Sequence, residues 1–233
     1  MYLSRVQVIT QGLRPETLFP LMQGNAYRSH QLLWKLFTNN NERPFLFRQE
    51  LEADASLETQ RPSGLPLFYV LSRTEPEPDP ALFNCEVKQF APKLRTGQKL
   101  AFRLRANPVV ARRDEGRKNS RHHDVLMDAK QSAKAEGIDD KKEIRQRMDN
   151  AAKAWLNNNE RSERNGYRLA EAPQIGAYQQ HVHRRKGREI RFGSVDYQGT
   201  IEVTDPEKFL RTLTEGIGRS RAFGCGMWMV RPI

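Results

Sequence analysis

Cysteine is almost missing: Cys85 and Cys225 are the only two in 233 residues. So few, set so far apart, support neither a disulfide scaffold nor a structural zinc cluster. Long apolar runs are missing too. None approaches the roughly 20 residues needed to cross a bilayer, which excludes a spanning helix. The opening MYLSRVQVIT lacks the charged, apolar and small-residue regions of a secretory signal and reads as a strand. Acidic charge is in short supply: Lys and Arg number 39 against 28 Asp and Glu, a formal net charge of +11. Hydrophobic residues are 37% and charged residues 29%, polar for a globular chain but not depleted enough for wholesale disorder. The length suits one large domain or two small ones. The first expectation is a soluble cytoplasmic protein with a polyanionic partner.

The positive charge is unevenly placed. Residues 1–100 hold 12 Lys/Arg and 10 Asp/Glu, a net +2, whereas residues 101–233 hold 27 and 18, a net +9. The excess concentrates in Arg103, Arg105, Arg112, Arg113, Arg117, Lys118 and Arg121, and again in Arg184, Arg185, Lys186, Arg188 and Arg191. The second cluster has a single acid, Glu189. Clusters of this kind neutralise phosphates and release counterions, so they point to nucleic acid; a merely solvated face is the alternative.

Between the halves lies TEPEPDPALF, with Pro76, Pro78 and Pro80 on alternate positions. Such spacing excludes helix and central strand, so a stiff exposed loop or linker is expected, with the domain boundary near it or as late as Gly97. In the first half a strand covers Tyr2 to Thr10. A helix fits SHQLLWKLF, where Leu32, Leu33, Leu36 and Phe37 form an apolar stripe. PFLFRQEL and LPLFYVLSR read as strands. The second half opens on QKLAFRLRANPVV, whose Leu100, Phe102 and Leu104 alternate with Ala101, Arg103 and Arg105, a strand with one wet, basic face. Residues 125–156 are helix-rich, broken near Gly137 and Asp139, with Ile144, Met148, Ala151, Ala152 and Trp155 as the buried stripe of the second piece. Strands over Tyr178–Arg185 and Arg188–Thr204 follow, joined by a basic turn at Lys186–Gly187. A helix started by Asp205–Pro206 and a strand over Met227–Val230 close the chain. The order resembles two split βαβ, ferredoxin-like units, giving an α+β protein.

The helix beginning near Asn25 places Tyr27 and His30 on one face, one turn apart, with Trp34 continuing that face. Imidazole can protonate a leaving alkoxide and a phenol can orient or deprotonate a 2′-hydroxyl, so the pair suits RNA cleavage; a helix cap or surface histidine is the bland reading. In GIGRSRAFGCGMW, Gly216, Gly218, Gly224 and Gly226 enclose Arg219 and Arg221. Backbone N–H groups and arginines together suit a phosphate. No Gly-Lys-Ser/Thr follows, so this is not a Walker loop, and tight-turn geometry could by itself explain two of the four glycines. His181 and His183 point the same way on a strand, but no Cys or Glu stands at ligand spacing, which favours a structural or RNA-facing role over zinc. His122 and His123 offer no better metal site. Cys225 lacks an evident base and reads as small-residue packing.

MYLSRV, YRSHQLLWKLF, FRLRANP, AWL at Ala154–Leu156 and GIGRSRAFGCGM occur in one order from residue 1 to the C-terminus. In this the chain resembles the CasE family, the repeat-processing endoribonuclease of the type I-E Cascade complex. The resemblance implies tandem ferredoxin-like (RRM-like) domains, residues 1–88 with the catalytic helix and 89–233 with the basic hairpin and glycine-rich loop. It implies metal-independent cleavage, without cofactor, at the 3′ base of the repeat hairpin of precursor CRISPR RNA. The 2′-hydroxyl attacks, leaving a cyclic phosphate, and the enzyme stays on the product beside the other Cascade subunits, away from any membrane. The family's catalytic histidine falls on His30 and its accompanying tyrosine on Tyr27. RNA contacts are expected from Arg28, Arg103, Arg105, Arg112, Arg113, Arg184, Arg185, Lys186, Arg188, Arg191, Gly216, Gly218, Arg219, Arg221, Gly224 and Gly226, with Arg221 standing where lysine is common. A non-catalytic RNA-binding subunit of the same fold is the alternative, and a metal-dependent nuclease is disfavoured because the sequence has no carboxylate cluster.

Overall fold

The computed structural model describes the whole chain except residues 10, 12, 13, 23, 24, 41, 54–61, 114–119, 186 and 187. It divides into two compact units. One is Met1–Lys93 with Arg221–Met227; the other is Leu94–Ser220 with Trp228–Ile233.

In the first unit, β1 (Tyr2–Val8) alternates Ser4, Val6 and Val8 inward, as its period-two pattern requires. Helices α1 (Pro15–Met22) and α2 (Ala26–Leu33) follow, then β2 (Phe45–Ala53), β3 (Pro62–Ser72) and β4 (Phe83–Gln89). The sheet order is β2-β3-β1-β4, antiparallel throughout, which is ferredoxin-like connectivity. Where that fold usually carries a second helix, the proline-rich stretch runs from β3 to β4, held by Glu77 N–H donating to the Leu36 carbonyl at 2.9 Å. It is therefore a loop of this sheet. The sequence reading did not anticipate β4, although Phe83, Cys85 and Val87 alternate with Asn84, Glu86 and Lys88; its exposed residues give it little apolar signal. Nor did it anticipate α1. The core gathers Leu32, Leu33, Leu36, Phe45, Phe47, Phe68 and Val70 under the helices. The expected helix on SHQLLWKLF is α2 tightening into a 3-10 turn, Trp34–Leu36.

In the second unit, β5 (Lys99–Ala106) buries Leu100, Phe102, Leu104 and Ala106 and turns Lys99, Ala101, Arg103 and Arg105 the other way. Pro108 separates it from β6 (Val109–Arg112), which pairs with β7 (Arg121–Asp124) as a small hairpin rather than prolonging β5. Helices α3 (Val125–Ala135), α4 (Lys141–Leu156) and α5 (Asn159–Asn165) follow. The break near Gly137 is as expected: Asp140 caps α4 by accepting from the N–H groups of Lys142 and Glu143. Met148, Ala152 and Trp155 are buried on α4, with Ile144 and Ala151 half-buried. Strands β8 (Tyr167–Leu169), β9 (Gln174–Arg185) and β10 (Arg188–Val203), helix α6 (Pro206–Glu215) and β11 (Trp228–Pro232) complete the unit. The sheet runs β11-β5-β10-β8, with β9 on β10. Trp228, Phe209 and Tyr167 meet in its core, ring centroids 5.2 to 6.3 Å apart. No helix among the described residues is long and apolar enough to cross a membrane.

Candidate active site

Helix α2 starts where Asn25 accepts a hydrogen bond from the Arg28 N–H. Buried Ser29 then donates to Gln49 Oε1 at 2.7 Å, and Gln49 Nε2 to the Leu21 carbonyl, which fixes the register of α2 against β2. That register sets His30, half-buried, among aromatic rings. Its centroid lies 5.8 Å from Phe45, 6.4 Å from Phe47 in a near-parallel stack, and 6.2 Å from Trp34. Trp34 Nε1–H donates to His30 Nε2 at 3.1 Å, so the imidazole proton sits on Nδ1. Burial first, and the nearby Arg43 charge second, lower the His30 pKa to about 4. Neutral imidazole is thus the resting form, with a proton on Nδ1 to donate and its Nε2 lone pair engaged by Trp34. Tyr27, one turn earlier, accepts from Gln31 Nε2 at 3.1 Å, and exposed Arg28 donates to Gln31 Oε1 at 3.4 Å.

Arg43 escaped the sequence reading. It stands two residues before Phe45, and its own pKa is lowered by burial and then by the charge of Arg221. Arg221 begins a 3-10 turn, Arg221–Phe223, that packs against α2 and β2. Gly224 closes that turn at φ +80°, and a Cβ there would come within 3.2 Å of the Phe47 ring, the ring stacked on His30. The first unit therefore gathers a neutral imidazole and two like-charged guanidinium groups from three stretches of chain. An anion relieves that repulsion. The signal available in the sequence was a single arginine leading into an aromatic strand, RPFLF.

The other expected residues are placed differently. Gly216, Gly218, Gly224 and Gly226 all have φ between +74° and +88°, so turn geometry accounts for four glycines and not two. The run is also divided: Gly216, Gly218 and Arg219 lie in the second unit, Arg221, Gly224 and Gly226 in the first. Arg219 Nη1 lies 2.8 Å from His122 Nε2. Arg103 is exposed on β5, and Arg113 is exposed after β6. Arg105 is held bidentate by Asp196 at 3.1 and 2.8 Å, and Arg112 by Asp128 at 2.7 Å. Arg191 pairs with Glu189. The backbones of Arg184, Arg185 and Arg188 lie in β9 and β10, but their side chains lie outside the described residues, as do Arg117, Lys118 and the expected turn at Lys186–Gly187. His181 and His183 do point the same way, in a near-parallel stack that Phe192 joins at 4.6 Å from His181; burial lowers the pKa of both. His181 Nε2 bonds Ser194 Oγ at 2.8 Å. Among the described residues no three His, Cys, Asp or Glu side chains converge as a metal site needs. Cys225 is fully buried.

Two ferredoxin-like units, one of them carrying a histidine near arginine charge, define an α+β protein. The chain belongs to the family described as CRISPR associated protein, whose pattern matches residues 1–232. It is 33% identical over 186 residues to the CRISPR-associated endoribonuclease Cse3 of Thermus thermophilus, covering 72% of this chain and 75% of that protein. It is 26% identical over 235 residues to the CRISPR system Cascade subunit CasE of Escherichia coli, covering all of both. A solved structure of Cse3 bound to a 19-nucleotide RNA superposes with a TM-score of 0.68 at 27% identity over the full length of both chains.

Proposed function

We propose that this protein is the endoribonuclease that processes precursor CRISPR RNA. It binds the repeat hairpin, cuts at its 3′ base without a metal, and stays on the product as a Cascade subunit in the cytoplasm. The observation that carries the reading is His30, held neutral on an aromatic bed with arginine charge beside it. Its relatives support it: one is an endoribonuclease, one a Cascade subunit, and the superposed structure holds RNA.

The chemistry we assign fits that geometry. The phosphodiester seats against the arginine charge and aligns the 2′-oxygen with phosphorus, so an internal nucleophile replaces a bound water. Tyr27 orients the 2′-hydroxyl, and neutral His30 takes up the proton of that hydroxyl at Nε2, displacing the Trp34 N–H. Once a phosphate faces the imidazole, its negative charge raises the His30 pKa, which lets the ring return a proton to the 5′-oxygen. The products are a 2′,3′-cyclic phosphate and a 5′-hydroxyl. The first unit, Met1–Lys93 with Arg221–Met227, supplies this chemistry, and the second unit supplies the grip on the stem, residues 101–233 carrying +9 of the +11 charge.

The test is incubation of the purified protein with a repeat hairpin RNA in EDTA, with analysis of the product ends. Cyclic-phosphate product from the unaltered protein, and none from His30→Ala while that variant still retards the hairpin, is the expected result. Undiminished cleavage by His30→Ala removes the assignment, and a strict metal requirement removes the mechanism.

A further inference from the structure

We propose that Arg43 is a substrate ligand of this site: with Arg221 it clamps the non-bridging oxygens of the scissile phosphate opposite His30. The inference rests on the cleavage reading above and adds to it a residue that neither the motifs nor the charge clusters contain.

Three features of the first unit carry it. Arg43 leads into β2, just ahead of Phe45 and Phe47, the rings on which His30 lies. It is half-buried, whereas a lone arginine at a strand entry ordinarily extends into water. The turn that packs on α2 and β2 brings in Arg221, whose charge acts on Arg43. Two guanidinium groups on this side of the unit can each fork across oxygens of one phosphate, which a single cation cannot do.

The role in the reaction is specific. As the 2′-oxygen bonds to phosphorus, a second negative charge builds on the non-bridging oxygens; it disperses when the bond to the 5′-oxygen breaks. The proton lost by the 2′-hydroxyl and the proton gained by the 5′-oxygen balance, so no water or other co-reactant enters. A guanidinium forks across two oxygens and matches that charge where it develops, which an ammonium does only as a point charge. The same contact screens His30 from the Arg43 charge.

Two measurements test this independently. The first uses inorganic phosphate and no RNA, following the His30 ring by NMR across about pH 4 to 8. Phosphate is expected to raise the His30 titration midpoint in the unaltered protein and to leave it unmoved in Arg43→Gln. No phosphate-dependent shift in the unaltered protein, or equal shifts in both, overturns the proposal. The second measures single-turnover cleavage of a repeat hairpin, with binding followed separately on a hairpin whose attacking 2′-hydroxyl is replaced by hydrogen. Arg43→Gln is expected to slow cleavage by about 10²- to 10³-fold while changing binding only a few-fold, with Arg43→Lys recovering part of the rate. An Arg43→Gln rate equal to that of the unaltered protein overturns the role in cleavage. If the unaltered protein leaves the hairpin intact, the cleavage reading fails, and the phosphate titration still decides whether Arg43 and His30 share an anion site.

Discussion

His30 rests as the neutral ring because of what surrounds it. The Trp34 N–H donates to its Nε2 lone pair and so favours the neutral ring, in the same direction as burial. Trp34→Phe removes that donor, and the His30 midpoint is expected to rise by about half a unit to one unit, since a neutral hydrogen bond contributes about 1 kcal/mol. An NMR titration of the imidazole checks it; an unchanged midpoint shows the bond to be without consequence. Stability follows the same residue. The ring titrates at about 4 in the fold and near 6.5 unfolded, so the folded chain binds fewer protons between those values. Its contribution is complete above pH 6.5 and is lost as the pH falls toward 4, and the lowered values of His181 and His183 act with the same sign. Urea unfolding at about pH 7, 5.5 and 4.5 is expected to show a shallower pH dependence for His30→Phe than for the unaltered protein. The motif named His30 and Tyr27, but not the aromatic bed or Arg43, because contacts between residues distant in sequence leave no periodic trace.

Among the elements, patterning decided most and the edges least. Strand β5 and helices α4 and α6 were legible because each buries one face at its own period. Strand β4 escaped since only Phe83 of its residues is buried, and α1 since Pro20 interrupts its pattern. A different constraint acts at Gly166, which ends α5 at φ +72°; a Cβ there would lie 2.4 Å from the Asp205 carbonyl and 2.6 Å from the Phe209 N. Both are backbone atoms at the start of α6, so neither can move aside cheaply. Gly166→Ala is therefore expected to destabilise the second unit by more than about 2 kcal/mol, combining left-handed strain with steric conflict. Chemical denaturation measures it, and a loss within about 0.5 kcal/mol contradicts the packing described.

For the molecule as a whole, the +11 charge matters by where it remains available. Arg105, Arg112 and Arg191 already meet Asp196, Asp128 and Glu189, whereas Arg103 lies exposed on β5. Arg103→Ala is expected to weaken hairpin binding and lower the slope of log affinity against log salt by about one; an unchanged slope removes Arg103 from the phosphate contacts. Arg105→Ala leaves Asp196 without its bidentate partner and is expected to lower stability by about 1–2 kcal/mol, measured by urea unfolding. Periodicity, composition and motif order are local properties, and they were enough for the two ferredoxin-like halves, the uneven charge and the histidine-bearing helix. Folding added the rest: which arginines are consumed by carboxylates, that the glycine run is shared between the units, and that the Arg43 charge acts on His30 and the Arg221 charge on Arg43. Those outcomes depend on through-space distance, and distance between remote residues exists only once the chain has folded.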